Sequence, residues 1–275
     1  MVQNCAATER QPEPSRSLIA FRVEPERVGR RQEDVAVEVP VAFFYNNRAF
    51  AVMLASPSDL EDYVRGFSLT EDVVGGFEDV QSIEIRPVAR GVEIHAEIPF
   101  AWAARLAQRQ RALAGRSGCG LCGADSFSDV FRPVAKIEGE PKFSAAAVRA
   151  AVAALSDHQA LNRVVGAVHA AAFADEDGNI LFCREDVGRH NALDKLIGAL
   201  GGAGVSPASG FVVISSRCSY EMVHKAAMAG IGLIAAVSAP TSLAVELATK
   251  TGVGLLAFAR ETRFTIYAGE RRVVC

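Results

Sequence analysis

Two rhythms of apolar and polar positions run along this chain. From Val35 to Leu54 the apolar residues form two strand-like runs around Asn46-Asn47, a dipeptide that favours a tight hairpin turn. Pro57-Ser58-Asp59 then opens a helical stretch, with Leu60, Tyr63, Val64, Phe67 and Leu69 on one face and Glu61, Asp62 and Arg65 outside. Val80 to Pro87 and Val92 to Ile98 alternate as half-buried strands do. Ala101 to Ala114, rich in Ala, Gln and Arg, predicts a helix. Residues 34–114 are thus expected to form a small α+β unit. Residues 1–33 are polar and unpatterned and read as a disordered tail.

A glycine-rich break follows. Residues 115–143 read as a loop and linker that begins Gly115-Arg116-Ser117-Gly118-Cys119-Gly120-Leu121-Cys122-Gly123. From Ser144 to the end the rhythm alternates helix and strand. Helices are expected over Ala145 to Leu155, around Leu193, Leu196, Ile197 and Leu200, over Tyr220 to Ala229 and over Leu243 to Lys250. Strands are expected over Val164 to Phe173, Ile180 to Cys183, Phe211 to Ile214, Leu233 to Val237 and Leu255 to Ala259. That alternation predicts a three-layer α/β domain over residues 144–275, so the chain is α/β in part and α+β as a whole. Gly198 to Gly204 lacks dinucleotide-binding spacing and reads as a plain connection.

With 275 residues, half of them hydrophobic, the chain has enough material for one large core or two small ones. A net charge of −3 with no Lys/Arg run carries no nucleic-acid footprint. The apolar runs fall well short of the roughly 20 residues a spanning helix needs. The first residues lack the apolar core of a secretory signal, which predicts a cytoplasmic protein with no membrane partner.

Six cysteines in a chain of this length do not make a disulfide framework. Cys5 and Cys275 stand at the ends; Cys183 and Cys218 lie within or just after apolar runs and read as structural. Cys119 and Cys122 are different. Three flanking glycines leave backbone N–H groups unshielded, and Arg116 adds positive charge, so the loop favours a thiolate. Three readings stay open on these residues. A thioredoxin-like pair follows a strand and opens a helix, a context missing here. A structural zinc needs about four ligands, and only one Cys-x-x-Cys exists. The third reading is a loop that carries sulfur as a persulfide.

Three expected strand-to-helix corners crowd polar groups. The first is Cys183-Arg184-Glu185-Asp186-Val187-Gly188-Arg189-His190-Asn191-Ala192-Leu193-Asp194-Lys195, where His190 and Asp194, and Asn191 and Lys195, pair at i,i+4. The second is Ser215-Ser216-Arg217-Cys218-Ser219, ahead of His224 and Lys225. The third is Ser238-Ala239-Pro240-Thr241-Ser242. Simple N-capping accounts for any one of them, whereas three in one domain favour a phosphate-bearing ligand. Nucleoside deamination is excluded: His169-Ala170-Ala171 has alanine where the proton-moving Glu belongs, and the cysteine pair comes earlier in the chain.

With these residues assembled, the chain resembles the sulfur carrier protein FdhD family, the formate dehydrogenase accessory sulfurtransferases. The matching stretches are Ala55 to Asp62, Gly118 to Gly123, Glu185 to Lys195, Ser215 to Ala229 and Ser238 to Ala244. The resemblance implies a cytidine-deaminase-like fold for residues 144–275 and a sulfurtransferase working through a cysteine persulfide. A cysteine desulfurase would supply sulfur to Cys119. The sulfur would then pass to the molybdenum or tungsten bis(molybdopterin guanine dinucleotide) cofactor, bound as substrate, for a formate dehydrogenase. Cys122 is the second candidate catalytic residue. The implied cofactor-binding stretch is Phe258, Ala259, Arg260, Glu261, Thr262 and Arg263. No structural metal is expected, and the resemblance implies a homodimer. Two alternatives remain at this stage, a non-catalytic cofactor chaperone and a thiol–disulfide oxidoreductase.

Overall fold

Inside the stretch expected to be a disordered tail, the chain pairs with itself. The structure is a computed structural model that describes residues 10–114, 133–137, 139 and 141–275. In it β1 (Ser15–Glu24) runs antiparallel to β2 (Arg27–Ala36), from Ser15 opposite Ala36 to Glu24 opposite Arg27. The tail reading is corrected for these residues. Ile19, Phe21 and Val23 do alternate as a strand should, but their partner strand is so polar that the pair reads as unpatterned.

The remainder of the N-terminal unit follows its sequence rhythm. Asn46 and Asn47 both take positive φ, 47° and 62°, and join β3 (Val39–Tyr45) to β4 (Arg48–Ala55). With β5 (Ser82–Val88) and β6 (Gly91–Glu97) they form a sheet ordered β4-β3-β6-β5, in which β3 and β6 run parallel. One face of this sheet is covered by α1 (Leu60–Thr70), with α2 (Phe100–Ala114) alongside. The core there is aromatic: Phe43 stacks on Phe67 at 4.3 Å and meets the edge of Tyr63 at 5.1 Å.

Residues 143–275 build a six-stranded sheet between helices, the three-layer α/β arrangement expected for this half of the chain. In chain order the elements are β7 (Phe143–Ser144), α3 (Ala145–Ala154), α4 (Ala160–Val165), β8 (His169–Ala174), β9 (Ile180–Asp186), α5 (Arg189–Gly202) and β10 (Phe211–Ile214). Then come α6 (Tyr220–Met228), β11 (Leu233–Ala236), α7 (Ser242–Thr251), β12 (Gly254–Ala257), β13 (Thr265–Ala268) and β14 (Val273–Val274). The sheet order is β13-β12-β11-β10-β8-β9, with β10, β11 and β12 parallel and β8 antiparallel to β10. Side chains alternate between its faces. Ala171, Phe173, Val212 and Ile214 meet α5, α6 and α7, whereas Ala170, Ala172, Phe211 and Val213 meet α3.

Two further readings are corrected. Val164 and Val165, expected to open a strand, instead end the helix α4: Gly166 in the left-handed region (φ 62°) stops it, and β8 starts only at His169. Gly198 to Gly202 is likewise no connection, because α5 runs through it. Its glycines serve a close helix crossing. A Cβ on Gly66 of α1 would overlap the Asp194 carbonyl, and one on Gly198 would overlap the Asp62 carbonyl. The two units therefore meet backbone to backbone along α1 and α5.

Candidate functional site

One end of the six-stranded sheet gathers every predicted corner. The C-terminal ends of β10, β11 and β12 lie there. Because β8 is antiparallel, its first residue His169 lies there too, opposite Asp186 at the end of β9. The segments leaving this edge are 187–188 into α5, 215–219 into α6, 237–241 into α7 and 258–263 into β13.

The helix starts differ in how their backbone N–H groups are satisfied. Thr241 caps α7, its hydroxyl accepting from Ala244 N–H at 3.3 Å, so the third corner is an ordinary cap. Gly188 and Ser219, at the starts of α5 and α6, make no side-chain cap. Those two starts keep first-turn donors available to an anion. Ser215 is already engaged, accepting from Ala170 N–H at 2.9 Å.

Most polar residues of the first corner have turned inward. Asp186 is fully buried. Its carboxylate meets Lys195 Nζ at 2.6 Å and accepts from Ser56 N–H at 2.9 Å, Gly188 N–H at 2.7 Å and Asn191 Nδ2 at 2.8 Å. Lys195 also donates to the Ser56 carbonyl at 2.9 Å, and Tyr63 donates to Asn191 Oδ1 at 2.7 Å. A second buried set joins Lys225 Nζ to Asp194 at 2.9 Å, Glu71 at 2.9 Å and Thr70 at 3.0 Å. Burial lifts the Asp194 carboxyl above the usual aspartate range, against the pull of Lys225 and of the Thr70 hydroxyl. Burial also works against the Lys225 ammonium, but Asp194 and Glu71 outweigh it and raise its pKa. Glu185 accepts from Leu161 and Asn162 N–H, both at 2.8 Å, and so caps α4.

Asp194, Asn191, Lys195 and Lys225 therefore join the two units and do not face a ligand, which the i,i+4 spacing alone did not reveal. Their partners Ser56, Thr70 and Glu71 come from 124 to 154 positions away in some pairs, and no local pattern marks them.

Arg189 and His190 remain at the edge. His190 Nε2 lies 2.8 Å from Glu221 Oε2, and this contact holds the Glu221 carboxyl below its usual range. Arg189 Nε is buried and meets no hydrogen-bond partner among the described residues. Beside it, His169 has a lowered pKa, first from partial burial and then from the positive charges of Arg189 and His190. The edge thus presents two uncapped helix starts and a guanidinium with unmet hydrogen-bonding capacity.

The 258–263 stretch forms the turn after β12. Phe258 takes φ 50° and donates its N–H to the Ser238 carbonyl at 3.1 Å, Ala259 is fully buried, and Arg260, Glu261, Thr262 and Arg263 are exposed. Arg260 donates to the Val237 carbonyl as well as to that of Ala259, so its head lies beside the third corner.

Cys119 and Cys122 lie outside the described residues. Among those described, burial pushes the thiols of Cys183 and Cys218 up to about 12, leaving almost no thiolate at neutral pH. No group of three or more His, Cys, Asp or Glu able to hold a metal occurs among the described residues. None of the described helices is long and apolar enough to cross a membrane.

Comparison with known proteins gives a consistent result. The FdhD/NarQ family pattern matches residues 36–274. The sulfur carrier protein FdhD of Bordetella petrii is 49% identical over 268 residues, covering 95% of this chain and 96% of its own. The protein of the same name from Xanthomonas euvesicatoria is 48% identical over 242 residues, covering 88% and 86%. Among solved structures, a formate dehydrogenase accessory protein from Desulfotalea psychrophila superposes with a TM-score of 0.73. Its sequence identity is 24%, over 95% of this chain and 100% of that one, a likeness of fold.

Proposed function

We propose, from the premise that this chain belongs to the FdhD/NarQ family, that it carries sulfur for the maturation of formate dehydrogenase. The observation that carries the reading is 49% identity to a sulfur carrier protein FdhD along nearly the whole of both chains. In the proposed reaction the Cys119 thiolate attacks the terminal sulfur of a desulfurase persulfide. The new bond is Cys119 Sγ–S, the old S–S bond breaks, and the desulfurase leaves as a thiolate, so no external oxidant or reductant enters. The terminal sulfur then passes to the metal of a bis(molybdopterin guanine dinucleotide) substrate: the S–S bond breaks, Cys119 leaves as a thiolate, and the substrate metal, entering in its reduced state, gives up the two electrons that make the sulfur a sulfide ligand.

The inertness of Cys183 and Cys218 supports a carrier elsewhere in the chain. The sheet edge suits the substrate's phosphates. Arg189 has an unmet donor beside two uncapped helix starts, with Arg260 and Arg263 near the neighbouring corner. Incubation with a cysteine desulfurase and cysteine, followed by peptide mass spectrometry, is expected to place one added sulfur on Cys119. Sulfur on no cysteine would favour the chaperone reading.

Two more expectations arise from the same edge and loop. GDP, as a fragment of the substrate, is expected to bind saturably and more weakly as salt rises, since phosphate–guanidinium attraction is screened. Arg189→Gln is expected to weaken it roughly 10-fold or more, the scale of a lost charge-assisted hydrogen bond. Calorimetry showing identical GDP affinity in this variant would remove Arg189 from the site. Separately, the purified protein is expected to hold no stoichiometric zinc, because Cys119 and Cys122 alone are half a structural site. Elemental analysis giving about one zinc per chain after mild chelation would contradict that.

A further inference from the structure

Ser56 is fully buried and can touch no ligand, yet its N–H, its carbonyl and its hydroxyl all reach the corner that starts α5. The N–H donates to Asp186 Oδ2 at 2.9 Å, the carbonyl accepts from Lys195 Nζ at 2.9 Å, and the hydroxyl accepts from the Val187 N–H at 3.2 Å. The segment that carries Ser56 is itself held. β4 ends at Ala55, and Pro57 confines the residue before it to extended backbone. Gln11 donates to the Pro57 carbonyl. Asp59, with φ 53°, turns the chain into α1, and Asp59 and Asp62 take the Arg184 guanidinium of β9 at 3.5 and 2.8 Å.

Val187 and Gly188 are the turn between the end of β9 and the start of α5. The Gly188 N–H is held by Asp186 Oδ1 at 2.7 Å, within its own unit, and the Val187 N–H by Ser56, from the other. Gly188 has no side chain to stiffen the turn, and a Cβ there would meet Asn191 Nδ2 at 2.7 Å. The first bond of α5 runs from the Ala192 N–H to the Gly188 carbonyl at 3.0 Å. Ahead of it come the N–H groups of Arg189, His190 and Asn191, which have no acceptor inside the helix. Their direction follows the peptide planes at 187 and 188, so whatever fixes that turn aims the donors an anion would meet.

We infer that Ser56 is a positioning residue for the ligand edge: through one buried hydroxyl, the N-terminal unit fixes the α5 start at which the substrate's phosphate binds. This role rests on the reading of that edge as an anion site. Without the hydroxyl the Val187 N–H loses its acceptor, and the turn gains conformations that binding has to suppress, which weakens binding. The charges at the edge are untouched, so the salt dependence of binding stays as it is in the natural protein.

The test uses the full chain, calorimetry with GDP and amide hydrogen exchange without ligand. Ser56→Ala is expected to bind GDP roughly 5-fold more weakly, the scale of one lost hydrogen bond, and to exchange the Val187 amide several-fold faster. Ser56→Thr keeps the hydroxyl and is expected to restore both. Thr70→Val is the control. It removes a hydroxyl that donates to Asp194 at 2.7 Å, also between the two units but away from the 187–188 turn. It is expected to lower stability to urea and to leave GDP affinity unchanged. The role is overturned by natural GDP affinity or natural Val187 exchange in Ser56→Ala. Equal weakening in Thr70→Val overturns it as well, since any loosening between the units would then act on the edge. A natural protein that binds no GDP removes the anion reading and this role together, whereas a natural protein that binds GDP no better than Ser56→Ala removes this role alone.

Discussion

Cys119→Ala is expected to abolish activation of formate dehydrogenase, a loss to background, while folding and GDP binding stay as in the natural protein. Cys119 stands between Gly118 and Gly120, so no neighbouring side chain blocks an incoming persulfide. Arg116, three residues before it, favours the thiolate. Cys122 has Leu121 on one side and lies farther from that charge. The buried thiols of Cys183 and Cys218, pushed up to about 12, offer no substitute nucleophile. Cys122→Ala is expected to keep part of the sulfur loading on Cys119. Activation is measured in a cell lacking the natural protein and supplied with each variant. Full activation by Cys119→Ala, or added sulfur that maps to Cys122, would move the carrier role off Cys119.

The second large effect is structural. Lys195→Ala is expected to destabilise the protein by about 3–5 kcal/mol, the scale of breaking a buried pair from one side. The substitution strands the Asp186 carboxylate without its cation and leaves the Ser56 carbonyl without its donor. That is a large share of the ~5–15 kcal/mol that holds a typical domain folded. Asp186→Asn is expected to be comparably severe, because it leaves the fully buried ammonium of Lys195 uncompensated. Arg22→Gln, which removes the exposed pair with Glu33 on the β1–β2 hairpin, serves as the control and should cost under about 1 kcal/mol. Urea unfolding of the three variants measures the differences. A Lys195→Ala protein within 1 kcal/mol of the natural one would show that the pair holds nothing together.

What the chain revealed in advance follows from the range of each interaction. Strands and helices with a buried face were legible, since burial on one side imposes a period of 2 or 3.6: β10 was expected at Phe211 to Ile214 and lies there, α6 ends one residue earlier than expected, and α7 is longer than expected by one residue at each end. The β1–β2 hairpin was missed because its apolar residues face outward and its second strand is polar, so burial wrote no rhythm into it. The extension of α5 through Gly202 was missed because glycine normally weakens a helix, and the compensating contact comes from α1, more than a hundred residues earlier. The site was legible as chemistry and not as assignment. The crowded corner at 183–195 was visible, but which of its residues face outward was decided by Ser56, Tyr63, Thr70 and Glu71. Those lie in the other unit, where periodicity carries no information about them.

The seam between α1 and α5 bears on inheritance. A chimera made from two relatives, cut at the glycine-rich break where composition changes most abruptly, would separate Gly66 from the Gly198 it grew up against. It would also separate Ser56 from Lys195 and Glu71 from Lys225. Neither parent's half tolerates a methyl group at the crossing or a missing partner for its ammonium. Substitutions on one side of the seam are therefore viable only alongside matching ones on the other, so the two halves must be exchanged together. The break in composition is a boundary of local structure and not of the heritable unit.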